Sequence, residues 1–383
     1  MERVCRLPPA PPARQMHKSR GGIHLARCSM DDETIRYLEG IAAGIKLDEG
    51  AAGVKRVLVE LHRHGSLGSR ELARHTRFSP PTISLLLDKL SRDGILHRSK
   101  HEGAKYTVKG MRFVENSLGI RSLAGQKCKW CEGTGFELEE TGVHQRIHDM
   151  SVAVAHLRPD ADVTLDQAKC LPDTIARRLL LMHAYHAFDG TRILFLGDDD
   201  FISLAASSTA FHEEYFIPSP TDAGPPFSAT AVDIDTRILE TIETTSRGKG
   251  FVPVGTRKHD VRHPLPGELR DAFDVVFTDP PYTREGATLF LSRAAAALKG
   301  QPGSLVFFSF GHVPASMARD IQDSILSMGF VIERAIPAFN QYEGGNIIGN
   351  ASAMLVLSAT GGLDPAVPAG QPFSGSIYTA GTG

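Results

Sequence analysis

Cysteine is scarce in this sequence, tryptophan occurs once, and long apolar runs are missing. Five cysteines in 383 residues, odd in number and scattered, do not make a disulfide framework, so a reducing, cytoplasmic compartment is expected. No segment approaches the ~18 apolar residues a membrane helix needs. The N-terminal stretch has arginines and prolines but no apolar h-region, which argues against a secretory signal. Residues 1–30 read as a disordered tail or as an over-called start, since Met30 directly precedes the first ordered-looking segment.

The chain is otherwise ordinary in composition, 42% apolar and 22% charged, and long enough for two or three domains. Its net charge of −2 hides an asymmetry: residues 1–150 sum to +7 and residues 151–383 to −9. A basic first half admits nucleic acid or an acidic partner, and an acidic second half suits a cationic ligand.

Residues 31–120 have the order of a winged helix. Val54, Val57, Leu58 and Leu61 share one helical face. A short amphipathic helix follows at SLGSRELARHT, and a third starts with Ser79 as N-cap and Pro80 and Pro81 in its first turn, stopping at Gly94. A hairpin turning near Glu102-Gly103 completes the unit. Thr82, Ser84, Lys89 and Arg92 on the third helix and Arg98, Lys100 and Lys105 on the wing could meet phosphates, but they carry no base-reading signature. A winged helix used for packing or dimerisation fits equally well.

Residues 121–160 read as a linker module. Residues 161–360 alternate strand and helix, the pattern of a Rossmann-like, doubly wound α/β domain. Strands are expected at 192–196, 229–234, 250–254, 273–278, 304–310, 330–335 and 353–358. Residues 361–383, rich in Gly, Pro and Ser, read as a disordered tail.

In such a sheet, ligands bind at the carboxyl ends of the strands. The first strand ends in Gly197-Asp198-Asp199-Asp200. An acidic helix N-terminus explains one or two of these carboxylates through the helix dipole. Three adjacent ones repel each other unless a cation sits against them. The second strand ends in Asp233, where an acid commonly holds ribose hydroxyls, and Asp260 follows the third. The fourth strand runs into Asp279-Pro280-Pro281-Tyr282. This motif resembles that of amino-methyltransferases acting on exocyclic base nitrogens, in which carboxylate and proline carbonyl accept from the target nitrogen. Proline suits the task because it fixes the backbone and has no N–H, leaving only acceptors facing the amine.

Both motifs serve an amine attacking a carbon bonded to a sulfonium. An alkylammonium, with a pKa of ~10, must lose a proton before it attacks. S-adenosylmethionine carries a carboxylate that Asp198 to Asp200 would repel, whereas the decarboxylated donor ends in a propylammonium that they would attract. At ~4 Å and an effective dielectric of ~20, each such contact differs by several kcal/mol between the two donors. Aminopropyl transfer is therefore expected over methyl transfer.

These motifs, with Leu165-Asp166-Gln167, His259-Asp260, Phe339-Asn340-Gln341-Tyr342-Glu343-Gly344 and Ile348-Gly349-Asn350, resemble the branched-chain polyamine synthases, the N4-bis(aminopropyl)spermidine synthases. The resemblance covers roughly residues 30–360. It implies a winged-helix domain, a Rossmann catalytic domain and a homodimer. The implied reaction is two aminopropyl transfers from decarboxylated S-adenosylmethionine to the secondary amine of spermidine, releasing methylthioadenosine. It also implies Asp200 as proton acceptor; Asp279 is a second catalytic candidate, and the strand ends themselves place Gly197, Asp198, Asp199, Asp233 and Asp260 at the donor. Pro280 and Tyr282, with Tyr342 and Glu343 as further candidates, would meet the acceptor polyamine. One departure is extra length between Asp200 and Val232, including residues 218–227, which could reshape acceptor choice.

Cys128, Cys131, His144 and His148 have the spacing of a structural zinc site, with Gly133 and Gly135 as in a zinc knuckle. Two reduced thiols in a turn and two histidines on one helix face would look the same. Cys170 falls in no expected site, and His183 and His186 read as core or surface residues. Two other functions remain open: an S-adenosylmethionine-dependent amino-methyltransferase on nucleic acid, and a winged-helix regulator sensing a polyamine or adenosyl ligand.

Overall fold

The computed structural model describes residues 30–47, 49–76, 78, 80–99, 103–120, 142–215, 226–311, 313, 315–343 and 351–379. Cys128, Cys131, Ser79, Lys100, Glu102, the segment 216–225 and the run 344–350 lie outside the described residues. The His144 side chain does too.

The N-terminal unit is a winged helix. Helices α1 (Asp32–Ile45), α2 (Gly50–His64), α3 (Ser69–Thr76) and α4 (Pro80–Arg92) precede the antiparallel wing β1 (Leu96–Ser99) and β2 (Gly103–Tyr106). Leu38, Val54, Leu58, Leu61, Leu86 and Leu90 close its core, on the faces that helical spacing predicts. The short helix α5 (Val108–Arg112) follows.

The C-terminal α/β unit begins with α6 (Gly142–Ala155) and α7 (Pro172–Ala184) and continues β3 (Arg192–Leu196), α8 (Ile202–Ser207), α9 (Thr209–Tyr215), β4 (Ser228–Asp233), α10 (Thr236–Gly248) and β5 (Val254–Lys258). Then come β6 (Val275–Thr278), α11 (Arg284–Ala297), β7 (Leu305–Gly311), α12 (Ala315–Ser327), β8 (Phe330–Gln341) and β9 (Ala351–Ala359). The sheet order is β5-β4-β3-β6-β7-β9-β8, parallel from β5 through β7 and antiparallel at β9 and β8. Alternate residues of β3 serve opposite cores, Ile193 and Phe195 on one face and Leu194 and Leu196 on the other. A strand covered on both faces has this unbroken apolar sequence. The strand order reverses between β3 and β6, so the loops after them open onto one crevice.

Two expectations need correction. The third strand is Val254–Lys258 rather than 250–254. It is the sheet's edge and carries Arg257 and Lys258, as edge strands often do, while Phe251, inside the expected span, packs against the core. The described part of the C-terminal segment is no free tail. Ile377 is buried, with Leu363, Val367 and Phe373 packed on the same core, and the Arg293 guanidinium donates to the carbonyls of Pro368 and Gln371. Glycine and proline here shape a path over α11 instead of preventing one.

Helix α2 joins the two units. Lys55 donates to the Asp189 carbonyl, Arg63 pairs with the Asp189 carboxylate at 3.5 Å, and Arg56 lies 3.8 Å from Glu333.

Candidate active site

The loop after β3 separates its aspartates into distinct roles. Gly197, at a φ of 74° that glycine adopts without strain, turns the chain toward α8. The Asp198 carboxylate accepts from the amides of Ile202 and Ser203 and from the Ser203 hydroxyl, so it caps α8. Phe201 precedes that helix with a φ of 58°, a conformation costly for a residue with a side chain and recurrent at functional sites.

Asp200 is bound on both oxygens. Oδ1 accepts from Arg158 Nη1 and from the Cys170 amide, each at 2.8 Å, and Oδ2 accepts from Arg178 Nη1 at 2.7 Å. Arg178, fully buried on α7, is the hub of the site. Its guanidinium also donates to Asp279, to Asn340 Oδ1 at 2.9 Å and to the Tyr342 hydroxyl at 3.1 Å, and it lies over the Phe277 ring. One planar fork thereby holds the ends of β3, β6 and β8 together, a geometry arginine provides and lysine does not.

Asp279, at the end of β6, accepts from Arg178, from the Tyr282 hydroxyl at 2.9 Å and from the Tyr342 hydroxyl at 2.8 Å. The two tyrosine oxygens are 2.7 Å apart. The ring of Tyr282 lies so close to Gly311 that a Cβ there would overlap it. Tyr342 arrives because β8 is interrupted by register shifts and the strap at Lys169–Leu171 pairs with its end. Such irregularities re-aim side chains beside active sites. Pro280 is buried.

No hydrogen bond reaches the Asp199 carboxylate among the described residues, yet it lies among Asp200, Asp233 and Asp279, with Arg178 near. Burial and then those three acids push its pKa well above the carboxylate range. Burial likewise raises Asp198, to about 7, and raises Asp233 and Asp279. Asp233 accepts from the amides of Asp198 and Asp235. Five carboxylates thus share the crevice with only two guanidiniums among the described residues.

One rim of the crevice is fastened from the C-terminal segment. Asp166 accepts from the Thr379 amide and hydroxyl, and the Thr283 hydroxyl donates to the Ile377 carbonyl. Tyr378, between them, lies under Arg262, which is paired with Asp260. Asp260 therefore belongs to the rim of the site rather than to the aspartate cluster.

Gly197, Asp198, Asp199, Asp200, Asp233, Asp279, Tyr282 and Tyr342 thus converge. Glu343 does not join them: its amide donates to Lys169 and its side chain is exposed. Sequence reasoning missed Arg158, Arg178, Asn340 as a contact, and Cys170, whose amide holds Asp200. An arginine inside the apolar run of α7 was the one available signal. Of the expected zinc ligands, His148 is described, with Nε2 2.9 Å from Asp173.

Comparison with known proteins agrees with this geometry. A family model described as the branched-chain polyamine synthase A C-terminal domain matches residues 146–361, and a MarR family model matches residues 55–105. The uncharacterized protein MJ0675 of Methanocaldococcus jannaschii is 38% identical over 315 residues, 82% of this chain and 75% of that protein. N(4)-bis(aminopropyl)spermidine synthase of Thermococcus kodakarensis is 30% identical over 239 residues, 62% of this chain and 63% of that one, so the match spans less than two thirds of that enzyme. The fold is also that of the Thermus thermophilus branched-chain polyamine synthase, solved with N4-aminopropylspermidine and 5'-methylthioadenosine. That structure has a TM-score of 0.53 and 24% identity, covering 91% of this chain and 98% of that one. The matched C-terminal model spans more than half of the chain and contains the whole aspartate cluster, so the protein belongs to the branched-chain polyamine synthase family.

Proposed function

We propose that the protein transfers aminopropyl groups from decarboxylated S-adenosylmethionine to the secondary amine of spermidine or a related polyamine. The observation that carries this reading is the excess of buried carboxylate over guanidinium at the ends of β3, β4 and β6. Such an excess is unfavourable in the empty site and is relieved by a cationic ligand. A propylammonium donor and a polyamine acceptor supply that charge, and a donor bearing its own carboxylate adds to the repulsion. The Thermus thermophilus relative was solved with a polycation of this kind, N4-aminopropylspermidine.

In the reaction, the acceptor nitrogen's lone pair attacks the propyl carbon bonded to sulfur. The C–S bond breaks, its electrons neutralise the sulfonium, and methylthioadenosine leaves. The nitrogen sheds one proton, which a raised-pKa carboxylate can take. Asp200 is poorly disposed for that role, because two arginines and an amide occupy its oxygens. The role is assigned instead to Asp199, with Asp279 and its tyrosines orienting the amine. Asp233 is assigned to the donor ribose.

The winged helix is assigned to packing. Arg98 is tied to Asp88, Ser69 and Ser84, and Lys89 to Asp93 at 2.7 Å, so these cations of the wing and third helix already have partners. The test is to incubate the full chain with spermidine and either donor. Methylthioadenosine plus a product heavier by one or two aminopropyl units is expected from the decarboxylated donor. Turnover only with S-adenosylmethionine and nucleic acid would overturn the reading.

A further inference from the structure

A second cluster lies in the winged-helix unit, at its junction with the catalytic unit. We propose that Glu60, His64 and His75 form a binding site for one divalent transition-metal ion of the zinc class. Glu60 and His64 stand one turn apart on α2 and so share a face, and His75 reaches them from the end of α3. One ligand atom from each lies within 4.8 Å of the others. Glu60 Oε2 is 3.5 Å from His64 Nδ1 and 3.6 Å from His75 Nδ1. Ligands held at ~2.0–2.1 Å around a tetrahedral ion are ~3.4 Å apart, close to the separation of Glu60 Oε2 and His75 Nδ1.

Two further observations point to a ligand. Glu60 is 8% exposed, and its Oε2 is buried with no hydrogen-bond partner among the described residues. A buried carboxylate oxygen without a donor is costly, and a cation between the two imidazoles would satisfy it. The other oxygen, Oε1, is held 3.0 Å from His186 Nε2, and His186 Nδ1 lies 3.4 Å from the buried Asp189. This is the outer shell that orients a ligating carboxylate. His186 has a φ of 63°, a strained backbone for a residue with a side chain, which the catalytic unit maintains while aiming the ring at Glu60. His64 Nδ1 is 2.9 Å from the Glu60 carbonyl. A proton on Nδ1 fixes the tautomer whose Nε2 is open to a metal. The donor set of two imidazoles and one carboxylate suits zinc and its neighbours and leaves a fourth position for water.

The test uses the full chain carrying Cys128→Ser, Cys131→Ser, His144→Gln and His148→Gln, so that none of those four side chains contributes. After treatment with EDTA it is titrated with Zn2+ by calorimetry, and the zinc-loaded protein is measured by X-ray absorption. One equivalent per chain is expected, with two imidazoles and oxygen in the coordination shell. His75→Gln and His64→Gln should each weaken binding at least 100-fold while the circular dichroism stays that of the parent. No uptake by the parent, a shell without imidazole, or full uptake by both folded glutamine variants would overturn the proposal. The X-ray absorption result needs no substitution at the site, so it decides the question even where a variant fails to fold.

Discussion

Replacing Asp199 and Asp200 by asparagine, one at a time, should move stability and activity in different patterns. Asp200 compensates two guanidiniums whose side chains are 2% and 0% exposed. Breaking a buried pair on one side costs about 3–5 kcal/mol. In a unit of this size each kcal/mol is worth roughly 2–4 °C, so Asp200→Asn should melt about 6–20 °C lower and lose activity with its site geometry. Asp199 is raised by burial and then by Asp200, Asp233 and Asp279, so its removal relieves an uncompensated buried charge and Asp199→Asn should melt at or above the parent temperature. Its activity should nonetheless fall by about 10²–10⁴-fold, the usual contribution of a positioned proton acceptor. The assays are differential scanning fluorimetry and release of methylthioadenosine with saturating donor. An Asp199→Asn enzyme of parental activity would refute the assignment, as would an Asp200→Asn enzyme that is inactive but undiminished in melting temperature.

Four further outcomes follow from the same contacts. Arg178→Lys keeps the charge but cannot reach Asp200, Asp279, Asn340 and Tyr342 together; kcat should fall at least ~100-fold with a lower melting temperature, and parental kcat would remove Arg178 as the hub. Polyamine affinity should rise as pH increases through the raised pKa of Asp199, because only the ionised form attracts an ammonium, and Asp199→Asn should flatten that limb in a calorimetric titration. Glu60 is lowered to about 2, with burial opposing and His186 supplying most of the lowering. A depressed carboxylate stabilises above its unfolded pKa of about 4.5, and its contribution of roughly 3 kcal/mol is lost as pH falls toward 2; melting of Glu60→Gln between pH 5 and 2 should lack this part of the decline. Gly311→Ala should push the Tyr282 ring aside and lower kcat/KM roughly 10- to 100-fold with little change in circular dichroism, and unchanged kcat/KM would show that the ring's position is unimportant.

Much of this arrangement was legible in the sequence because its signals are local. The strand Arg192–Leu196, its aspartate loop and Asp279 through Tyr282 are contiguous motifs, and sheet topology places them together whatever the side chains do. Tyr342 could be picked out but not placed, since its arrival depends on register shifts in β8 and on pairing with the strap at Lys169–Leu171. Arg158 and Arg178 were illegible for a related reason. A basic residue usually faces water, and only the folded chain shows that Arg158, just past α6, and Arg178, on α7, turn inward onto acids more than 20 residues away. The C-terminal segment misled through composition: glycine and proline signal the lack of regular structure, not the lack of packing. Ile377 reaches a core that exists only once α11 is in place.

The aspartate loop shows how far a charge pattern can be read. Sequence alone presents three equal carboxylates, of which a helix N-terminus explains one or two and a cation explains all three. The fold instead satisfies Asp198 with the N-terminus of α8 and Asp200 with two arginines, so two of the three have partners within the chain. The argument for a cationic ligand survives because those arginines are themselves shared, through Arg178, with Asp279, while Asp199 and Asp233 add charge that no other guanidinium offsets among the described residues. What points to a cationic ligand is therefore not the length of the acidic run but the carboxylate left over after the fold has taken its share. An equally long aspartate run on another sheet could be wholly consumed by capping and pairing, and it would then predict no cation at all.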